Sequence, residues 1–111
     1  MVAEEGWTMM CVIGSEDTTY AFSSIGFEPV VVNSRDEALR AFEGIQKYDI
    51  ILIEESIAKD VEKELADIKG RGMIVIEIPG VNGSTGYTRD RIRKMVINAV
   101  GMDIFKGEKN G

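Results

Sequence analysis

Two pairs of acidic residues follow apolar runs, Glu16 and Asp17 two residues after Met9 to Ile13, and Glu54 and Glu55 directly after Ile50 to Ile53. Carboxylates that converge at the ends of adjacent strands could hold a divalent cation and assist phosphoryl transfer. A phosphoryl-accepting site of that kind also needs an aspartate at the end of the third strand and a lysine after a later one. Here the third run ends in glutamates and the fourth leads into Glu77-Ile78-Pro79, so the key parts are missing. The plainer reading makes the four acids helix-start and rim residues, favoured there by the helix dipole.

The stretch Gly80-Val81-Asn82-Gly83-Ser84-Thr85-Gly86 could cradle a phosphate with its backbone amides. It lacks the lysine followed by Ser or Thr of a phosphate-binding loop, and it does not follow the first strand as a dinucleotide fingerprint must. A flexible connection is the alternative. Arg89, Arg91, Arg93 and Lys94 form the one basic cluster, suited either to docking an acidic partner surface or to the solvated side of a helix. Trp7 is an interface anchor, a pack-down residue or part of a leader.

Absences constrain the chemistry further. The chain has no histidine, the commonest general base near neutral pH and the commonest metal ligand. Its serines, threonines and single cysteine therefore have no imidazole to activate them. Cys11 lies inside an apolar run and reads as a buried small hydrophobe that cannot form an internal disulfide. No catalytic, cofactor-binding or metal residue is expected. Thirteen basic against nineteen acidic residues give a net charge of -6, which repels nucleic acid and anionic lipid and leaves a protein as the expected partner.

Whatever the side chains do, the elements beneath them must place them. Met9 to Ile13, Val30 to Val32, Ile50 to Ile53 and Met73 to Ile76 read as strands apolar on both faces, which belong in a covered parallel sheet. The clearest helix starts at Ser34 with Glu37 three residues on, a capping box, and lines up Ala38, Leu39, Phe42 and Ile45. Another carries Ile57, Val61, Leu65 and Ile68 and stops at Gly70-Arg71-Gly72. The last carries Ile92, Met95, Val96, Ala99 and Val100 and stops at Gly101. The first, from about Asp17 to Ser24, contains the poor helix formers Thr18, Thr19 and Tyr20, with Ala21, Phe22 and Ile25 as its apolar side and Gly26 as its stop.

Alternating β and α with right-handed crossovers predicts an α/β fold: a small doubly wound, receiver-like or Rossmann-like, four-stranded parallel sheet of order 2-1-3-4 with helices on both faces. Pro29 suits an edge position for the second strand. The single domain is expected over residues 9–104, with a flexible leader at 1–8 and a mobile tail at 105–111. The 111 residues suffice for one core, and the apolar runs are far shorter than the ~20 residues of a membrane-spanning helix. A reducing, cytoplasmic setting fits the single cysteine and the acidic start Glu4-Glu5, which does not resemble a secretory signal.

Taken in order, four motifs resemble the F subunits of the archaeal A-type and V-type rotary ATP synthases over about Met9 to Ile104. They are Gly14-Ser15-Glu16-Asp17-Thr18, Ile51-Leu52-Ile53-Glu54-Glu55-Ser56-Ile57-Ala58, Glu77-Ile78-Pro79-Gly80 and Val100-Gly101-Met102-Asp103-Ile104. The resemblance implies a central-stalk component of the rotor, peripheral to the membrane on its cytoplasmic side, that neither binds nor hydrolyses ATP. It implies binding to the coiled-coil D subunit inside the ring of A and B subunits, which the C-terminal segment would reach, and coupling of ATP synthesis or hydrolysis to proton or sodium translocation. The leader and the short tail Phe105 to Gly111 depart from the family pattern.

From the residues alone, the edge strand and the last helix are natural surfaces for gripping a helical partner. Phe27, Val30, Val32, Ile92, Met95 and Ile104 are the contact candidates, with core packing as the alternative. The competing functional classes are a receiver-like phosphorylation switch and a small-ligand or nucleotide-binding domain that uses the glycine-rich stretch.

Overall fold

A computed structural model of the chain describes residues 9–80 and 89–101. Four strands, β1 (Met10–Gly14), β2 (Glu28–Val31), β3 (Ile50–Glu54) and β4 (Ile74–Ile78), form one sheet in the order β2-β1-β3-β4. Every neighbouring pair is parallel. The register sets Val12 beside Leu52 and Ile13 beside Ile53, and carries Glu54, at the end of β3, alongside Ile78. The expected topology is present.

Only the two central strands are buried on both faces. In β1 the residues Cys11 to Ile13 and in β3 the residues Ile50 to Ile53 are all nearly inaccessible. At the edges, by contrast, Glu28, Pro29 and Val31 of β2 and Ile74 and Glu77 of β4 are exposed. The apolar runs predict four covered strands, but an edge strand has a neighbour on one side only, and its outer residues meet solvent.

The helices divide between the two faces. On one, α2 (Arg35–Phe42), α3 (Glu55–Ala58) and α4 (Glu62–Gly70), with the turn between α3 and α4, bury Ala38, Phe42, Ala58, Val61, Leu65 and Ile68 against Cys11, Ile13, Ile51 and Ile53. On the other, α1 (Glu16–Ser23) and α5 (Arg89–Val100) bury Phe22, Ile92 and Val96 against Val12, Ile50 and Leu52. Alternate residues along each central strand thus feed opposite cores, as the period of two requires.

Local chemistry explains most of the boundaries. The Ser34 hydroxyl accepts from the Glu37 N–H at 3.2 Å, while the Glu37 carboxylate reaches back to the N–H of Asn33 at 2.7 Å, one residue beyond the usual target of a capping box. The helix ends at Phe42, so Ile45 falls in a separate 3-10 turn at Ile45–Lys47, where it is still buried. The helix expected through Ile57, Val61, Leu65 and Ile68 is broken by a 3-10 turn at Lys59–Val61. That tighter winding turns Ala58, rather than Ile57, fully inward.

The threonine-rich α1 forms because hydroxyls are satisfied locally and its apolar side is held by the core. Thr19 Oγ1 donates to the Glu16 carbonyl at 3.1 Å, Thr18 and Thr19 are buried, and the Phe22 ring centre lies 6.4 Å from that of Phe27. Gly26, with φ of 106°, ends the turn in a conformation a side chain would disfavour.

Candidate functional site

The order of the sheet reverses between β1 and β3, and open sheets of this type receive their ligands in the crevice beyond the carboxyl ends of such strands. Glu54, the last residue of β3, lies there and is only 9% exposed. One of its oxygens, Oε1, accepts the Ser15 N–H at 2.8 Å. A Cβ placed on Gly14 would lie 2.7 Å from Oε1, and one placed on Gly80 would lie 2.6 Å from Oε2. The carboxylate is therefore bracketed by two glycines and held by the backbone of the residue that precedes α1.

This corrects the reading of all four acids as rim residues. Glu16, Asp17 and Glu55 are exposed in first turns, where the helix dipole favours them, but Glu54 points into the sheet end. The signal that could have found it is the presence of glycine at both 14 and 80, flanking the ends of neighbouring strands. No group of three or more His, Cys, Asp or Glu among the described residues is arranged to hold a metal ion. Beside the carboxylate opens a cleft of about 410 Å³ lined by Glu54, Glu55, Ser56, Lys59, Glu77 and Gly80. Three carboxylates face one ammonium group, an unfavourable field for phosphate.

At the amino end of the sheet a second set of polar groups is buried. The Cys11 thiol is pushed up to about 12 by burial and then by the nearby Glu28 charge, with Lys47 acting in the opposite direction. It is fully inaccessible and stays protonated across the physiological range, unsuited to nucleophilic work. Tyr48, 6% exposed, is also pushed up to about 12, by burial and by a side-chain hydrogen bond to Glu28. Lys47 Nζ stands 5.2 Å from the Tyr48 ring centre.

The contact candidates separate by depth. Phe27, Val32 and Ile92 are buried in the chain's own cores, Val30 and Met95 are half-buried, and Ile104 lies outside the described residues. Val31, which sequence reasoning passed over, is 48% exposed on the β2 edge, because alternation turns it outward between Val30 and Val32. Tyr20 stands 78% exposed on α1. Arg91 and Lys94 are exposed on α5 and Arg93 is half-buried. Trp7, the leader, the tail and the glycine-rich stretch after Gly80 lie outside the described residues.

Comparison with known proteins converges on one family. The family described as "ATP synthase (F/14-kDa) subunit" matches residues 10–96. The chain is similar to the F subunit of an A-type ATP synthase of Methanococcus maripaludis, with 31% identity over 97 residues that cover 84% of this chain and 95% of that protein. It is 29% identical over 97 residues to the corresponding A-type protein of Methanococcus vannielii, with the same shares covered. It is 31% identical over 99 residues to the F subunit of a V-type ATP synthase of Fusobacterium nucleatum, a match that covers 86% of this chain and 94% of that protein.

Proposed function

Because the chain belongs to the family of F subunits of the A-type and V-type ATP synthases, we propose that it is a non-catalytic component of the rotor of such a complex. In this reading it binds the coiled-coil D subunit in the central stalk and couples ATP synthesis or hydrolysis to proton or sodium translocation without an active site of its own. The observation that carries the reading is the family match, which runs from the first residue of β1 into α5 and so spans the whole sheet. No helix among the described residues is long and apolar enough to cross a membrane, which accords with a peripheral place in a membrane-bound machine.

Two surfaces are offered to the coiled coil, the β2 edge and the outer side of α5. On β2, the outermost strand, the exposed Val31 and the half-buried Val30 project to opposite faces, and no further strand pairs with its outer edge among the described residues. Phe27, Val32 and Ile92 act from beneath, by holding those elements in place, and half-buried Met95 borders the contact on α5.

Mixing the purified chain with the D subunit of the same complex should give one co-eluting species on gel filtration at micromolar concentration. Val31→Asp should weaken that complex by about tenfold or more while the isolated chain melts as before, since position 31 is exposed. Separate elution of the two wild-type proteins would overturn the proposal. Unchanged affinity in Val31→Asp would move the contact off the β2 edge.

A further inference from the structure

We propose that Glu54 is a built-in ligand: its carboxylate fills the place in the switch-point crevice that an external anion would take, and closes that crevice to phosphate-bearing molecules. Three observations meet at this one group. It is nine-tenths buried at the mouth of a sheet end where solvent and ligands normally enter. It accepts the Ser15 N–H, at the start of α1, from 39 residues away. Backbone approaches it closely from two directions, Gly14 at the end of β1, where an added Cβ would strike the base of the side chain, and Gly80 just after β4, where it would strike the terminal oxygen.

A helix start with its N–H groups is an attractive place for an anion, and here the chain supplies the anion itself. The spacing at the two glycines differs in a useful way. At Gly14 an added Cβ would meet the Glu54 Cβ at 3.0 Å as well as Oε1, so the base of the side chain is in the way and cannot swing aside. At Gly80 it would meet Oε2, the movable end of the side chain, and because a carboxylate is planar Oε2 cannot swing away there without also displacing Oε1 from the Ser15 N–H. The carboxylate consequently ties the β1–α1 turn to the chain leaving β4. The adjoining cleft reinforces the closure, since Glu55 and Glu77 repel an incoming phosphate more than Lys59 attracts it.

The test is chemical rescue in the full chain. Glu54→Gly should lower the melting temperature by about 5 °C, and sodium acetate at ~0.2 M should return about 3 °C of that relative to sodium chloride at equal ionic strength. That gain is counted over and above the smaller, general acetate-over-chloride difference shown by the wild type. A Glu54→Gly chain that melts like the wild type, or that gains no more from acetate over chloride than the wild type does, would overturn the proposal. If that variant fails to fold, Gly80→Ala supplies the reading, because position 80 is exposed. Its methyl group should push the carboxylate off Ser15 and speed exchange of the Ser15 amide by at least about tenfold, with the β1–β2 ladder amides unchanged. An unaltered Ser15 exchange rate would likewise refute the role.

Discussion

The two ends of the sheet bury polar groups in opposite ways. At the amino end, Cys11 and Tyr48 are kept as neutral acids, raised to about 12 by burial and by Glu28 on the edge strand. At the carboxyl end a glutamate is buried in the crevice itself, with a backbone amide for a partner and glycines on either side to make room. The carboxyl end of a doubly wound sheet leaves a gap by construction, because the connections after β1 and β3 diverge to opposite faces. A side chain reaching into that gap from β3 fits only where its neighbours lack Cβ atoms.

The largest expected effect probes the amino end. In the folded chain the Cys11 and Tyr48 protons are held to about 12, whereas unfolding returns the groups to their ordinary values of 9.0 and 10.0. The native state therefore binds more protons across that interval. The stability these two groups contribute is fully present below pH 9 and is lost as pH rises from 9 towards 12, first through Cys11 and then, above pH 10, through Tyr48 as well. Urea unfolding at about pH 8, 10 and 11 would measure it. Cys11→Ala should delay the onset from near pH 9 to near pH 10 and roughly halve the slope. An equally steep loss in that variant would show that the alkaline sensitivity lies elsewhere.

At the carboxyl end, Gly14→Ala should cost about 2 kcal/mol, because its methyl group meets both Oε1 and the Cβ of Glu54 in a fully buried position. Denaturant midpoints would report it. A cost near zero would mean that the carboxylate is not wedged and would dissolve the contrast between the two ends. Smaller still is Tyr48→Phe, about 1 kcal/mol, since the exposed Glu28 can turn to water once the phenol is gone. That variant should also lose its share of the alkaline slope, which sharpens the assignment of the amino-end group.

Much of this was legible in the residues. Periodicity marked the strands, Ser34 and Glu37 marked a helix start that the structure forms, and the sheet order followed from alternation and handedness. The clean break at Lys59–Val61 was not legible, because Ile57, Val61, Leu65 and Ile68 keep a helical spacing through it and only packing against β3 selects Ala58. Nor was the depth of Phe27, Val32 and Ile92, which an apolar pattern offers equally as contacts or as core.

Local rules act over three or four residues, and the sequence by itself therefore determined which segments wind, which extend and where most of them stop. Its ordered motifs likewise determined the family. Only the tertiary structure decided that Glu54 differs from Glu55, one residue away: the first is pinned to Ser15 and bracketed by Gly14 and Gly80, and the second is left in solvent. That difference arises from contacts spanning 39 residues along the chain, and it exists only once three strand ends have been brought together.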